Sequence, residues 1–292
     1  MIQYLTRDQL DEKKYNNCIS NAINTRINAH SWYLDIVCDN WDVLVEGDYI
    51  AVMPLPKRKK YGIHYIYQAP WTQQLGIFSD HSIDGLTIEQ FIKSIPKKFK
   101  LVDVLFNSEN SMDSSQPKLR DNYVLSLNRS YEVIKKQFNK GRKSSIKQAQ
   151  KLDLTIVDNY DHDEIIELFK QNRGAELSKK DLDYDTLSKL IKYALPFNFA
   201  KSYAVINNDK ELIGGAFFLI DTHRITYLFS AINNEGRTNH AMSYLLDYTI
   251  RTNSESRQIF DFEGSMIKEL ASFFKSFGAE KETYFHLKKY NI

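Results

Sequence analysis

Apolar residues recur along this chain either in alternation or at three-to-four spacing, and the change from one to the other marks out elements. Helices are predicted over 15–24 and 31–37. Positions 42–45 alternate as a strand up to the turn Glu46-Gly47-Asp48, and 49–55 reads as a second strand stopped by Pro54 and Pro56. Strands follow at 63–68 and 73–78, with Lys57 to Lys60 as a hairpin tip. Ile88, Phe91, Ile92 and Ile95 then repeat at i, i+3, i+4 and i+7 as one face of a helix before a strand at 101–106. The stretch NSENSMDSSQPK after it has the composition of a linker.

The second half runs in the same order. A long helical region is predicted over 131–151, then a strand at 154–157 and helices over 163–172 and 184–194. Strands at 202–206 and 212–220 form a hairpin, followed by a strand at 224–230, a loop AINNEGRTNH, a helix over 241–251 and a strand at 259–262. DVLVEGDYIAVMPL answers SYAVINNDKELIGGAFFLI, and VDVLFNS answers IFDFEGS. The expectation is a tandem α+β protein with domains at 1–125 and 126–292, each a mixed, mostly antiparallel sheet flanked by helices.

Composition narrows the class. Of 292 residues, 42% are hydrophobic and 26% charged, enough apolar material for two cores. A net charge of +2 makes no global field, so neither stable DNA binding nor a membrane partner is expected. The polar start MIQYLTRDQLDEKKY is unlike a secretory signal, and no apolar run is long enough to span a bilayer. Cys18 and Cys38 read as reduced thiols, and the seven histidines are scattered without metal-ligand spacing. A cytoplasmic protein without a metal is expected.

Five places can carry chemistry. Gly236, Arg237, Thr238 and Asn239 precede a helix and are candidates for holding an anionic cofactor, because unsatisfied N–H groups and the helix dipole meet there. The same loop serves equally as an ordinary capped turn, with Thr238 or Asn239 as cap. Glu263 stands past the end of a central strand, walled by Phe262 and Phe273. It is a candidate general base toward an amine, or a turn carboxylate capping a helix that starts near Ser265. Lys275, ahead of Gly278, either favours the C-terminal helix dipole or stabilises an oxyanion. The run from Lys135 to Lys151 holds seven basic residues and no acid, so it is either a solvated face or a surface for a phosphate-rich partner. Tyr33, Gln73, Gln74 and Tyr227 are candidates for lining a substrate groove, or for packing in a core.

The stretch YVLSLNRSYEVIKKQFNKGRKSSIKQAQKLDLTIV resembles the junction of Fem-type transferases and related acetyltransferases of the GNAT superfamily. GGAFFLI, ITYLFSA and NNEGRTNHAMSYLLDYTI are similar to the GNAT central hairpin with its donor loop and helix. DFEGS with FFKSFGAE is similar to the Fem closing segment. The resemblance covers Tyr123 to about Tyr284, and the first half matches only in element order. It implies two GNAT-like domains facing a shared cleft and transfer of an acyl or aminoacyl group to an amine, on a small molecule or a peptide. It makes Lys275 the catalytic cation and 234–239 the donor loop for acetyl-coenzyme A or another acyl-coenzyme A. Here Gly236 is followed by Arg237-Thr238-Asn239-His240-Ala241, so the usual [RQ]-x-x-G-x-[GA] glycines are missing. Fem enzymes take aminoacyl-tRNA instead, often with a long coiled-coil arm that does not interrupt this chain. The alternatives are therefore an N-acyltransferase using acyl-coenzyme A, a Fem-like aminoacyl transferase acting on a cell-wall precursor or peptide, and a non-catalytic binding protein.

Overall fold

The structure, a computed structural model, describes residues 1–111, 118–172, 183–264 and 266–291. It divides into two units, 1–121 with 282–292, and 122–281. The last eleven residues thus group with the first unit, whereas the expected boundary gave them to the second. Half of the expected linker at 107–118, residues 112–117, lies outside the described residues. Among the described residues no helix is long and apolar enough to cross a membrane.

The first unit contains β1 (Ile2–Thr6), α1 (Glu12–Asn21), α2 (Ser31–Val37), β2 (Trp41–Glu46), β3 (Ala51–Lys60), β4 (Ile63–Ile66), β5 (Phe78–Ser79), α3 (Gly85–Ser94) and β6 (Phe99–Leu105). Its sheet runs β1-β2-β3-β4-β6, with β5 beside β3. Alternation on β2 separates two cores. Leu44 packs with Ile88, Phe91 and Ile92 of α3, while Trp41, Val43 and Val45 pack with Tyr15, Ile19 and Leu34 of α1 and α2.

Proline does not stop β3 as expected. The Pro56 carbonyl accepts from Tyr67 N–H, so the nitrogens of Pro54 and Pro56 face the outer side. On that side β3 passes from β5, paired at Ala51 and Val52, to β4, paired from Lys57. No ladder N–H is required between those partners, and proline is tolerated there. Lys57 to Lys60 accordingly lie in the strand.

The second unit contains β7 (Lys118–Ser126), α4 (Tyr131–Gln137), α5 (Lys140–Ala149), β8 (Thr155–Asp158), α6 (His162–Asn172), α7 (Tyr184–Ala194), β9 (Ala200–Ile206), β10 (Leu212–Ile220), β11 (Arg224–Ile232), α8 (Asn234–Thr238), α9 (Ala241–Thr252), β12 (Ile259–Asp261) and α10 (Lys268–Lys275). The chain ends in β13 (Glu280–Tyr290), which pairs antiparallel with β6. The helical region expected over 131–151 breaks at Phe138, because the Asn139 side chain accepts from Arg142 N–H and starts a new helix.

The sheet of this unit runs β7-β12-β11-β10-β9-β8, and β11 and β12 are parallel within an otherwise antiparallel order. One face carries a core of Ile134, Phe138, Ile146, Leu245, Leu246, Phe274 and Phe277 from the helices against Phe218, Phe260 and Phe262 from the strands. On the other face Phe169 of α6 meets Phe229, and Ile165 occupies the space that a Cβ on Gly215 would need.

Asp261 ends β12 on the face opposite Phe260 and Phe262 and accepts from the Arg224 guanidinium at 2.7 Å, with the two side chains 5% and 2% exposed. Replacing one partner leaves a buried charge without its counter-ion, so Arg224→Met should cost about 3–5 kcal/mol. Urea unfolding of that variant beside Arg224→Met/Asp261→Leu checks it, with the double variant expected to recover most of the loss.

Candidate active site

The end of β12 is built around Asp261. Besides the ion pair, its Oδ1 accepts from Asn122 Nδ2 at 3.0 Å and from Glu263 N–H at 2.8 Å. The Asn122 side-chain oxygen in turn accepts from Gly264 N–H. These bonds hold two successive residues in left-handed conformation, Glu263 at φ +55° and Gly264 at φ +78°. Glycine adopts that geometry freely, but a glutamate does so against a steric cost that the surrounding contacts must sustain.

The Glu263 carboxyl is set by this turn. Glu263 is half-buried, and desolvation, reinforced by the like charge of Asp261, holds its carboxyl well above the usual glutamate range. Among the described residues no side-chain hydrogen bond to the Glu263 carboxyl relieves that cost. Of the aromatic residues expected to wall it, Phe262 stacks on Phe274 in the core, and Phe273 turns to Arg142. The expected helix start near Ser265 lies outside the described residues; α10 runs from Lys268.

Lys275, the last residue of α10, is exposed and places its ammonium 5.3 Å from the Tyr123 ring centroid. Gly278, at φ +79°, closes the helix through its N–H to the Lys275 carbonyl at 2.9 Å. The Glu263 turn is bonded to Asn122 and Lys275 lies over Tyr123, so both approach β7 at adjacent residues. Gly264 makes the first contact through its backbone N–H and Lys275 the second through its ammonium.

The loop at 234–239 folds into α8. Asn233 caps it, accepting from Gly236 N–H at 2.7 Å, and α9, expected to be capped by Thr238 or Asn239, is entered from His240 instead. Arg237 bonds Asn234, Thr238 bonds the Asn234 carbonyl and Asn239 bonds Glu235, so all three side chains are engaged within the turn. A Cβ on Gly236 would lie 2.2 Å from the Ile213 carbonyl oxygen. Glycine is needed there for contact with β10, at the irregularity between Leu212 and Gly214. As folded, these residues do not form a glycine-lined cradle for a pyrophosphate.

An anion-suited place lies one turn further on, around a residue that periodicity did not single out. Arg142 of α5 donates from Nε to Ser276 Oγ at 2.9 Å and from Nη1 to Ser243 Oγ in the first turn of α9. Its guanidinium stacks over Phe273 at 4.2 Å and Phe277 at 4.7 Å. No carboxylate pairs with it among the described residues, and burial pushes its pKa down to about 10. His240, at φ +56°, enters α9 without a side-chain cap. The only sequence signal for Arg142 was its place in the basic run.

The groove candidates divide between the units. In the first, Tyr33 is fully buried with its hydroxyl on the Trp71 carbonyl, and Gln74 is buried between Ser108 N–H and Gln73. Both are packing residues, and Gln73 is half-exposed beside them. In the second, Tyr227 stacks on Phe218 and meets Phe274 edge-on, and burial raises its hydroxyl pKa.

A carboxyl whose folded pKa is raised binds its proton more tightly in the native state. Its contribution to stability is complete below the unfolded glutamate value and is lost as pH rises through the raised folded value. Glu263→Gln should therefore stabilise the protein at neutral pH, by a margin that shrinks toward about pH 4. Denaturant unfolding of both proteins across that range checks it; a margin independent of pH would contradict the assignment.

No family model matches the chain, and no curated protein does. Solved structures do. FemX superposes with a TM-score of 0.71 at 10% identity, over 97% of this chain and 96% of that one. The structure of L-PGS from Bacillus licheniformis gives 0.57 at 13% identity over 96% and 92%. The C-terminal domain of a putative lysylphosphatidylglycerol synthetase from Agrobacterium fabrum gives 0.57 at 9% over 94% and 90%. At such identities the likeness is one of fold, and it extends through the first half, where the sequence matched only in element order. The chain thus shares the fold of FemX over nearly the whole of its length.

Proposed function

We propose that this protein transfers an acyl group to an amine, with Glu263 as the base and Lys275 as the cation that faces the developing oxyanion. The observation that carries the reading is the Glu263 turn, its backbone bonded to Asp261 and Asn122 at the end of β12 and its carboxyl raised in proton affinity. A base of raised pKa takes a proton from an attacking amine more readily than an ordinary carboxylate does. The nitrogen forms a bond to the acyl carbon, its proton passes to Glu263, and the carbon–heteroatom bond to the donor breaks. The leaving group departs with the proton that Glu263 took from the amine, which restores the carboxylate. Lys275, exposed and held over Tyr123, supplies positive charge without a paired carboxylate among the described residues.

An aminoacyl ester on tRNA suits the donor side better than a coenzyme A thioester. The contacts that occupy Gly236 to Asn239 favour it, as do the exposed Lys136, Lys140, Lys147 and Lys151. The neighbour's name, lysylphosphatidylglycerol synthetase, also speaks of joining an amino acid to an acceptor. Acyl-coenzyme A is the second reading, supported by the uncapped first turn of α9 beside Arg142.

Thermal stability with acetyl-coenzyme A and filter binding of aminoacyl-tRNA separate the donors. Salt-sensitive retention of tRNA without a coenzyme A shift is expected, and a coenzyme A shift lost in Arg142→Gln would establish the second reading. With the donor in hand, Glu263→Gln should lower kcat about 10²–10⁴-fold. Lys275→Ala should lower it about 10²–10³-fold. Full activity in either variant would remove that residue from the reaction.

A further inference from the structure

Three aromatic side chains stand out of the second unit where α7 ends and β9 begins. Tyr193, Phe197 and Phe199 are 41%, 57% and 37% exposed. Their rings form a ladder, 5.3 Å from Tyr193 to Phe197 and 6.0 Å from Phe197 to Phe199. Scattered surface apolar residues are ordinary, but three large rings in mutual contact form a patch.

The turn that displays them is locked. Asn198 takes φ +58°, its N–H donates to the Leu195 carbonyl at 3.1 Å, and Phe199 N–H donates to the Ala194 carbonyl at 3.0 Å. This pair of bonds is the Schellman closure of a helix end. The Phe199 carbonyl accepts from Ile220 N–H at 2.8 Å, which ties the turn to β10. The rings are therefore presented by a braced backbone. Folding inward would break these bonds.

Three lysines flank the patch, of which Lys189 interacts electrostatically with Asp183. Lys189 lies one turn before Tyr193 on α7, Lys192 precedes it, and Lys201 follows Phe199 by two residues. All three are exposed, and none is in an ion pair among the described residues. The carboxylate of Asp221, next to Ile220, is taken up by the N–H groups of His223 and Arg224 at 2.7 Å each.

We propose that this aromatic ladder and its three lysines form a docking surface for a membrane bearing anionic lipids. The rings enter the headgroup region and the ammonium groups meet the lipid phosphates. Aromatic residues favour that depth, and basic residues at its edge add attraction for anionic headgroups. The surface lies on a bilayer without crossing it. It goes beyond the sequence reading, which expected no membrane partner, and does not rest on the proposed acyl transfer.

Flotation of the full chain with vesicles tests this without reference to activity. One set holds equal phosphatidylglycerol and phosphatidylcholine, the other phosphatidylcholine alone. The protein should float with the first and at least about tenfold less with the second. Phe197→Ser/Phe199→Ser and, separately, Lys192→Glu/Lys201→Glu should each lose that binding while keeping the circular dichroism of the parent. Absence of flotation, or unchanged flotation of the phenylalanine double variant, would overturn the proposal. It would also be overturned if that variant instead abolished self-association in sedimentation, or binding of a single-stranded oligonucleotide.

Discussion

The Arg224–Asp261 ion pair is the constraint on which the candidate site depends. Both side chains are removed from water, so each charge is tolerable only with the other in place. Pairing uses one carboxylate oxygen, and the second is left to accept from Asn122 and from Glu263 N–H. One buried charge thus fixes three strands and a turn: Arg224 from β11, Asn122 from β7, and the residues that leave β12. In the register β11–β12–β7 Thr226 and Val124 flank Asp261, and Arg224 and Asn122 each stand two residues from those partners, on the same face.

That arrangement has an electrostatic consequence. Glu263 follows a carboxylate already committed to a guanidinium, in a turn that desolvates its own. A strand end of an open sheet is a usual place for a ligand, but the raised proton affinity comes from the local arrangement. The chemistry read from the site is therefore a property of the turn, and the Fem-type fold supplies the place for it.

Much of the architecture was legible in the chain. The helices Ser31–Val37 and Tyr184–Ala194 and the strand Leu212–Ile220 were bounded as found, because their periodicity is strong and their ends are marked. What escaped has physical reasons. β1 and β13 are half-polar edge-type sequences without a clear alternation, and β13 finds its partner β6 far away in the chain. The stretch at 73–78 read as a strand but makes one only at Phe78–Ser79, because Asn107 and Asn110 bind its backbone at Leu75 and Ile77 instead.

At the site, Glu263 could be found from its place after an apolar strand, but not its partners. Asn122 and Asp261 are 139 residues apart, and no local pattern announces their bond. Gly236 was open to an anion-binding or a turn role, and its close contact with the Ile213 carbonyl, which no local pattern announces, makes it a packing glycine. The central claim is that this turn raises the proton affinity of Glu263. Carboxyl carbon NMR of glutamate-labelled protein, with Glu263→Gln to assign the signal, measures it directly. The account expects a titration midpoint well above the ordinary glutamate value of about 4.3. A midpoint at or below that value would contradict it.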